Sequence, residues 1–183
     1  MLKTQKENNM SFKKNFFQQY FLQRKNLILF SFFSILSAFV MAIIFAFSHQ
    51  TADASASLSN GLSNIILDIF EFVDSSKKEL YFAILKIFIR DFAHLFLFTL
   101  LGNFLTCAVI NLNVQKSRVK YLFVLLIGLA YSVADETHQF FVEGRSCQIY
   151  DVILDFSGVL LGVIFAMIFY KIFQIIAKKR KIS

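Results

Sequence analysis

The run Leu27 to Phe47, LILFSFFSILSAFVMAIIFAF, contains nothing more polar than serine. A helix needs about 20 apolar residues to cross the hydrocarbon core of a bilayer, so this stretch reads as a transmembrane span. Outward from it come three more apolar runs. They cover about Phe92 to Ile110, about Tyr121 to Ala134 with a polar extension to Gln139, and about Val152 to Tyr170. Each of these three carries polar or charged residues at only one end. The expected class is an all-α integral membrane protein with four transmembrane helices.

Composition supports this reading. Hydrophobic residues make up 57% of the 183 positions, and the mean hydropathy of +0.61 is too high for an ordinary soluble domain. Proline is absent, so no helix is kinked or stopped by its ring. The first apolar run begins only near Leu27, is as long as a full span and lacks an evident cleavage site, so it is expected to be retained rather than removed as a signal peptide. Internal repeats, a Gly-rich phosphate loop and Cys/His finger spacings are all missing from the sequence. Cys107 lies in an apolar segment and Cys147 in a polar loop, too far apart in the expected topology to bridge, so two free thiols are expected.

The net charge of +7 would suggest nucleic acid in a soluble protein. Here the basic residues flank apolar runs, which points to lipid headgroups and not to nucleic acid. They fall in three places. The N-terminal arm holds Lys3, Lys6, Lys13, Lys14, Arg24 and Lys25; the connection after the second span holds Lys116, Arg118 and Lys120; the tail holds Lys171, Lys178, Lys179, Arg180 and Lys181. The positive-inside rule puts all three in the cytoplasm, and an even number of spans agrees. The chain then divides into a basic arm, 1–26, a four-helix membrane domain, 27–170, and a basic tail, 171–183. Asp53, Asp68, Glu71, Asp74, Glu79, Asp135, Glu136 and Glu143 fall in or beside the two outer loops.

The first outer loop follows its Ser-rich stretch, Ser55 to Ser63, with Leu62, Ile65, Ile66, Ile69, Phe70 and Val73 at helical spacing. Asp68, Glu71 and Asp74 occupy the opposite face, so an amphipathic helix lying on the outer surface is expected. From Leu80 the chain is apolar again, with Lys86 and Arg90 interrupting. This segment either rides the interface or is an early, tilted start to the second span.

The polar residues of the spans gather at their outer ends. Arg90 and His94 are four apart and share a helix face, with Gly102 deeper on much the same side. Gly128, Ser132, Asp135, Glu136 and Gln139 stripe the third span, and Asp151, Asp155, Gly158 and Gly162 the fourth, where the Gly-x-x-x-Gly pair lets a neighbouring helix approach closely. A carboxylate at a span's centre costs about 2.5–3.5 kcal/mol, so these groups should face one another and not lipid. Arg90 and Arg145 would stand against Asp135, Glu136, Asp151 and Asp155, with His94 and His138 as partners or proton carriers. A purely structural network that fixes helix order is the rival reading. Concentration of the polar groups at one depth favours a binding site made of Arg90, His94, Asp135, Glu136, His138, Gln139, Arg145, Asp151 and Asp155. His49 reads as a solvated loop residue, and Asp91 as a counter-charge to Arg90. His94, Glu136, His138 and Asp151 offer metal donors, but no His-Glu-x-x-His pair occurs and Glu136-x-His138 is a weak signal. No metal and no cofactor are expected.

The run Ala134-Asp135-Glu136-Thr137-His138-Gln139-Phe140-Phe141-Val142-Glu143-Gly144-Arg145, followed by Cys147 to Asp151 and the Asp155-x-x-Gly158 helix, resembles the signature of the VanZ-like membrane proteins. Arg90-x-x-x-His94 with Leu101-Gly102, and the Phe47-Ser48-His49-Gln50 exit from the first span, resemble that family too. The match covers about Leu27 to Tyr170. Departures are Asp91 in place of a second basic residue, Leu97-Phe98 in place of Glu-Tyr, and Asp155 where an asparagine is usual. The resemblance implies a multi-pass protein of the bacterial plasma membrane with a four-helix core and, for the founding member, resistance to the glycopeptide teicoplanin. It implies no established reaction. The ligand class expected is an anionic, lipid-linked or peptidic envelope component, with an intramembrane hydrolase or transferase as the alternative. For the enzyme, Glu136 or His138 would be general base, with Ser146 and Cys147 nearby. A proton-coupled transporter is disfavoured, because the cytoplasmic halves of the spans are almost wholly apolar.

Overall fold

The computed structural model describes residues 2–69, 78–112 and 117–180. Five helices follow in order: α1 (Leu2–Ser48), α2 (Ala52–Ile69), α3 (Lys78–Ile110), α4 (Ser117–Gln139) and α5 (Ile149–Arg180). No strand occurs among the described residues. Three of these helices contain segments long and apolar enough to cross a membrane: Leu22–Ser48, Lys78–Ile110 and Ile149–Arg180. The fourth, α4, has 23 residues, which at 1.5 Å per residue is about 34 Å.

Without proline the helices run on beyond the apolar runs. The basic arm continues the first span as one helix. The segment from Leu80 through Lys86 and Arg90 is likewise continuous with the second span in α3, which decides for the early start over a separate interfacial segment. At the other end of the chain, Lys178, Lys179 and Arg180 in the last turn of α5 complement the negative end of its dipole.

Small residues decide how closely the helices approach. A Cβ on Gly158 would lie 2.6 Å from the Leu95 carbonyl oxygen, and Cβ atoms on Gly162 and Gly102 would collide with the backbone at Thr99 and Val159. The stripe expected from the sequence therefore seats α5 directly on α3, the most extensive helix pair in the molecule. Leu95 faces Gly158 and Thr99 faces Gly162, so the two helices run parallel. By the same argument α4 runs parallel to α1, since Tyr131 donates to the Met41 carbonyl at 2.6 Å and His138 stacks on Phe45. Val40, Ile44, Phe98, Leu101 and Val159 form the core between them. Phe32, Ile35, Phe39, Ile87, Phe88, Phe169 and Phe173 point outward and are exposed, as side chains that meet lipid would be.

In α2 the Ser-rich stretch is part of the helix and not a lead-in to it. Ser59 and Ser63 are buried, each donating to the carbonyl four residues back, while Leu58, Leu62 and Ile65 are exposed. The helix thus buries Ser59, Ser63 and Leu67 and leaves Leu58, Leu62 and Ile65 exposed. Phe70, Glu71, Val73 and Asp74 of the expected amphipathic set lie outside the described residues. A short turn joins α4 to α5, with Gly144 at φ 75°, a conformation glycine adopts without steric cost. Its neighbour Glu143 accepts from the Ala52 N–H at 3.2 Å, which ties this turn to the start of α2.

Candidate functional site

Polar groups from α1, α3, α4, α5 and the turn after α4 meet at one end of the bundle, where α1 and α4 finish and α5 begins. Asp135 and Gln139 are one helical turn apart on α4 and both are buried. The Gln139 amide donates to Asp135 Oδ2 at 2.9 Å. Ser48, the last residue of α1, donates to the same oxygen at 2.8 Å. The Gln139 carbonyl in turn accepts from Arg145 Nη1 at 2.9 Å.

Arg145 is held by backbone as well. Its Nε donates to the Gln50 carbonyl at 3.0 Å and its Nη2 to the Phe47 carbonyl at 3.2 Å, so the guanidinium caps the end of α1. All three acceptors are neutral, and among the described residues no carboxylate lies within ion-pair distance of it. Burial first, and then the nearby Arg90 charge, pull its pKa below the ordinary value. A guanidinium keeps its proton at neutral pH regardless. The result is a half-buried cation bonded only to neutral acceptors, with Asp135, Glu136 and Asp151 acting on its charge from beyond ion-pair distance.

The second set of polar groups joins α3 to α5. Arg90 reaches Asp151 at 3.9 Å and His94 reaches Asp155 at 3.5 Å, one turn further along the parallel pair. Asp155 is fully buried, and neither of its carboxylate oxygens has a hydrogen-bond partner. Glu136 is also buried. One of its oxygens accepts from the Gln148 N–H at 3.0 Å, and Oε1 has no partner.

Two cavities open onto this end. A cleft of about 560 Å³ lies between α2, α3 and the turn before α5, with Lys86, Arg90, Arg145, Asp53, Asp91 and Asp151 among its walls. A groove of about 300 Å³ adjoins it, walled by Phe47, Leu58, Leu62, Ile89, Ala93 and Leu97, with His94 alongside. Arg90, Arg145, Ser55 and Ser59 border both. The arrangement offers guanidinium donors to an anion next to a surface for an apolar chain.

Eight of the nine residues expected from the sequence fall within this network: Arg90, His94, Asp135, Glu136, Gln139, Arg145, Asp151 and Asp155. His138 stands apart. It stacks on Phe45 and meets the Nδ1 of His49 at 3.3 Å, so His49 is exposed but has a partner. Four contributors escaped sequence reading, namely the Ser48 hydroxyl, the Gln148 N–H and the Gln50 and Phe47 carbonyls. Ser48 had a signal, since it ends an apolar span inside the Phe47-Ser48-His49-Gln50 motif. The three backbone groups had none, because they belong to the main chain and not to a residue type.

Spans exposing phenylalanine and isoleucine, enclosing a buried ionisable network at one end, define a helical membrane protein with a built polar site. The model of the VanZ/LLP1 family matches residues 32–170, and the chain belongs to that family. Comparison with curated proteins finds no match, and comparison with solved structures finds none.

Proposed function

We propose that this protein crosses the bacterial plasma membrane four times, with both termini in the cytoplasm, and binds an anionic, lipid-linked envelope component in its outward-facing cleft. A fourth crossing is supported by the parallel run of α3 and α5: a chain that crosses twice in one direction must return between, and α4 is the helix available. Orientation rests on the Lys/Arg clusters at 3–25, 116–120 and 171–181. The exposed apolar side chains Leu58, Leu62 and Ile65 suit α2 to the interface.

The observation that carries the ligand reading is that Arg145, a cation whose own hydrogen bonds all go to neutral acceptors, borders both the polar cleft and the apolar groove. An amphiphile with a negatively charged head satisfies both at once: its head meets Arg145 and Arg90, its chain lies along Leu58, Leu62 and Leu97. Occupancy of this kind is the route by which a member of this family would alter glycopeptide access at the cell surface, including teicoplanin susceptibility. The test is binding of a lipid-linked wall precursor to purified protein in nanodiscs, compared with Arg145→Ala. Loss of binding with an unchanged level of folded protein is expected; unchanged binding would defeat the reading.

An intramembrane hydrolase or transferase is the second reading, favoured by the free Oε1 of Glu136 at 1% residue exposure. A carboxylate so placed can take a proton from an attacking group. Turnover of the same precursor, abolished in Glu136→Gln, would establish it.

A further inference from the structure

The geometry points to a divalent-cation site formed by His94, Asp135 and Asp155, a donor set that no sequence spacing announces because it comes from three helices. One ligand atom from each residue lies within 4.8 Å of the others. Asp155 is fully buried and its Oδ2 has neither a hydrogen bond nor an ion-pair partner, while its Oδ1 has only the His94 Nδ1 at 3.5 Å. On Asp135 both hydrogen bonds, from Ser48 and Gln139, go to Oδ2, and Oδ1 receives none among the described residues. Each carboxylate therefore keeps at least one oxygen free of hydrogen bonds among the described residues.

Charge gives the second reason. Asp135 is 5% exposed and Asp155 not at all, and among the described residues neither lies within ion-pair distance of an arginine or lysine. Two carboxylates this close repel each other unless a cation or a shared proton sits between them. Hydrogen bonds from Ser48 and Gln139 to Asp135, an outer shell of the kind that orients metal ligands, are already in place.

The donor set selects the ion. One imidazole and two carboxylates are borderline ligands that suit Zn²⁺ or Mn²⁺, and an imidazole is a poor ligand for Mg²⁺ or Ca²⁺. Three protein ligands leave a coordination position open, as in zinc sites that act on a substrate. The donors considered from the sequence were His94, Glu136, His138 and Asp151; only His94 converges here, because Glu136 is drawn to Gln148 and His138 to His49. This site goes beyond the lipid-binding reading and does not depend on it.

The experiment is titration of the full-length protein, purified in detergent and stripped with chelator, with Zn²⁺ and separately with Mn²⁺. One saturable site per chain is expected for at least one ion. Asp155→Asn and His94→Ala should each weaken it at least about tenfold, the loss brought by removing even an outer-shell partner, and Asp68→Asn on exposed α2 should leave it unchanged. With Mn²⁺ bound to wild type, pulsed electron paramagnetic resonance should show coupling to one imidazole nitrogen. That measurement stands even if a variant fails to fold. Absence of saturable binding up to millimolar ion, or binding without nitrogen coupling, or affinity indifferent to both substitutions in folded protein, would overturn the proposal.

Discussion

The hydroxyl of Ser48 donates to Asp135 Oδ2 across 2.8 Å, joining the last residue of α1 to a buried carboxylate of α4. This bond is the hinge between the hydrophobic span and the polar site. The same carboxylate oxygen takes the Gln139 amide, and Gln139 takes Arg145, so the exit of the first helix and the turn after the fourth share one acceptor chain.

Removing the donor should be felt in stability. Ser48→Ala leaves buried Asp135 with one hydrogen bond fewer, a change worth about 1.5–3 kcal/mol for a charged partner. Ser37→Ala removes an equally buried hydroxyl that bonds only to Phe33 O of its own helix, a carbonyl already engaged in the helix, and should cost far less. Denaturant unfolding of the two purified variants checks this; equal losses would show that Ser48 is an ordinary helix-end serine.

Glycines on α5 and α2 should respond in opposite ways. In Gly162→Ala the new methyl meets Thr99 and Asn103 backbone, which cannot swing aside as a side chain would, so about 1–3 kcal/mol or more is lost and folded protein in the membrane falls. In Gly61→Ala nothing lies within 4 Å of the new Cβ, and better helix propensity should stabilise α2 by up to about 1 kcal/mol. Thermal melts in detergent distinguish these outcomes.

Orientation can be read from one thiol. Cys147, exposed in the turn before α5, and half-buried Cys107 within α3 are both free. A membrane-impermeant maleimide added to intact cells should label Cys147 in the wild type and in Cys107→Ala, and should fail in Cys147→Ser. Labelling of Cys147 only after lysis would put the cleft in the cytoplasm and end the proposed envelope role.

Much of the architecture was legible because hydropathy is a local property. The runs around Leu27 to Phe47, Phe92 to Ile110 and Val152 to Tyr170 announce helices whatever packs against them, and Gly158 with Gly162 announces a close neighbour without naming it. The Ser-rich stretch of α2 was misjudged as a lead-in because serine has no strong helical preference; burial of Ser59 and Ser63, with Leu58 and Leu62 exposed, overrides it.

By itself the sequence determined that the chain is helical, apolar outside and polar at one end of its spans, since spacing along a helix dictates which residues share a face. Only the tertiary structure decided which faces meet. The contact of Asp155 with His94, the convergence of Asp135 on both, the diversion of His138 to His49 and the neutral hydrogen-bond acceptors of Arg145 depend on how each helix is rotated about its axis and offset in depth. Those two quantities are fixed by contacts between helices, the glycine contacts among α3, α4 and α5 and the side-chain contacts of α1 with α4, which periodicity within a single helix does not contain.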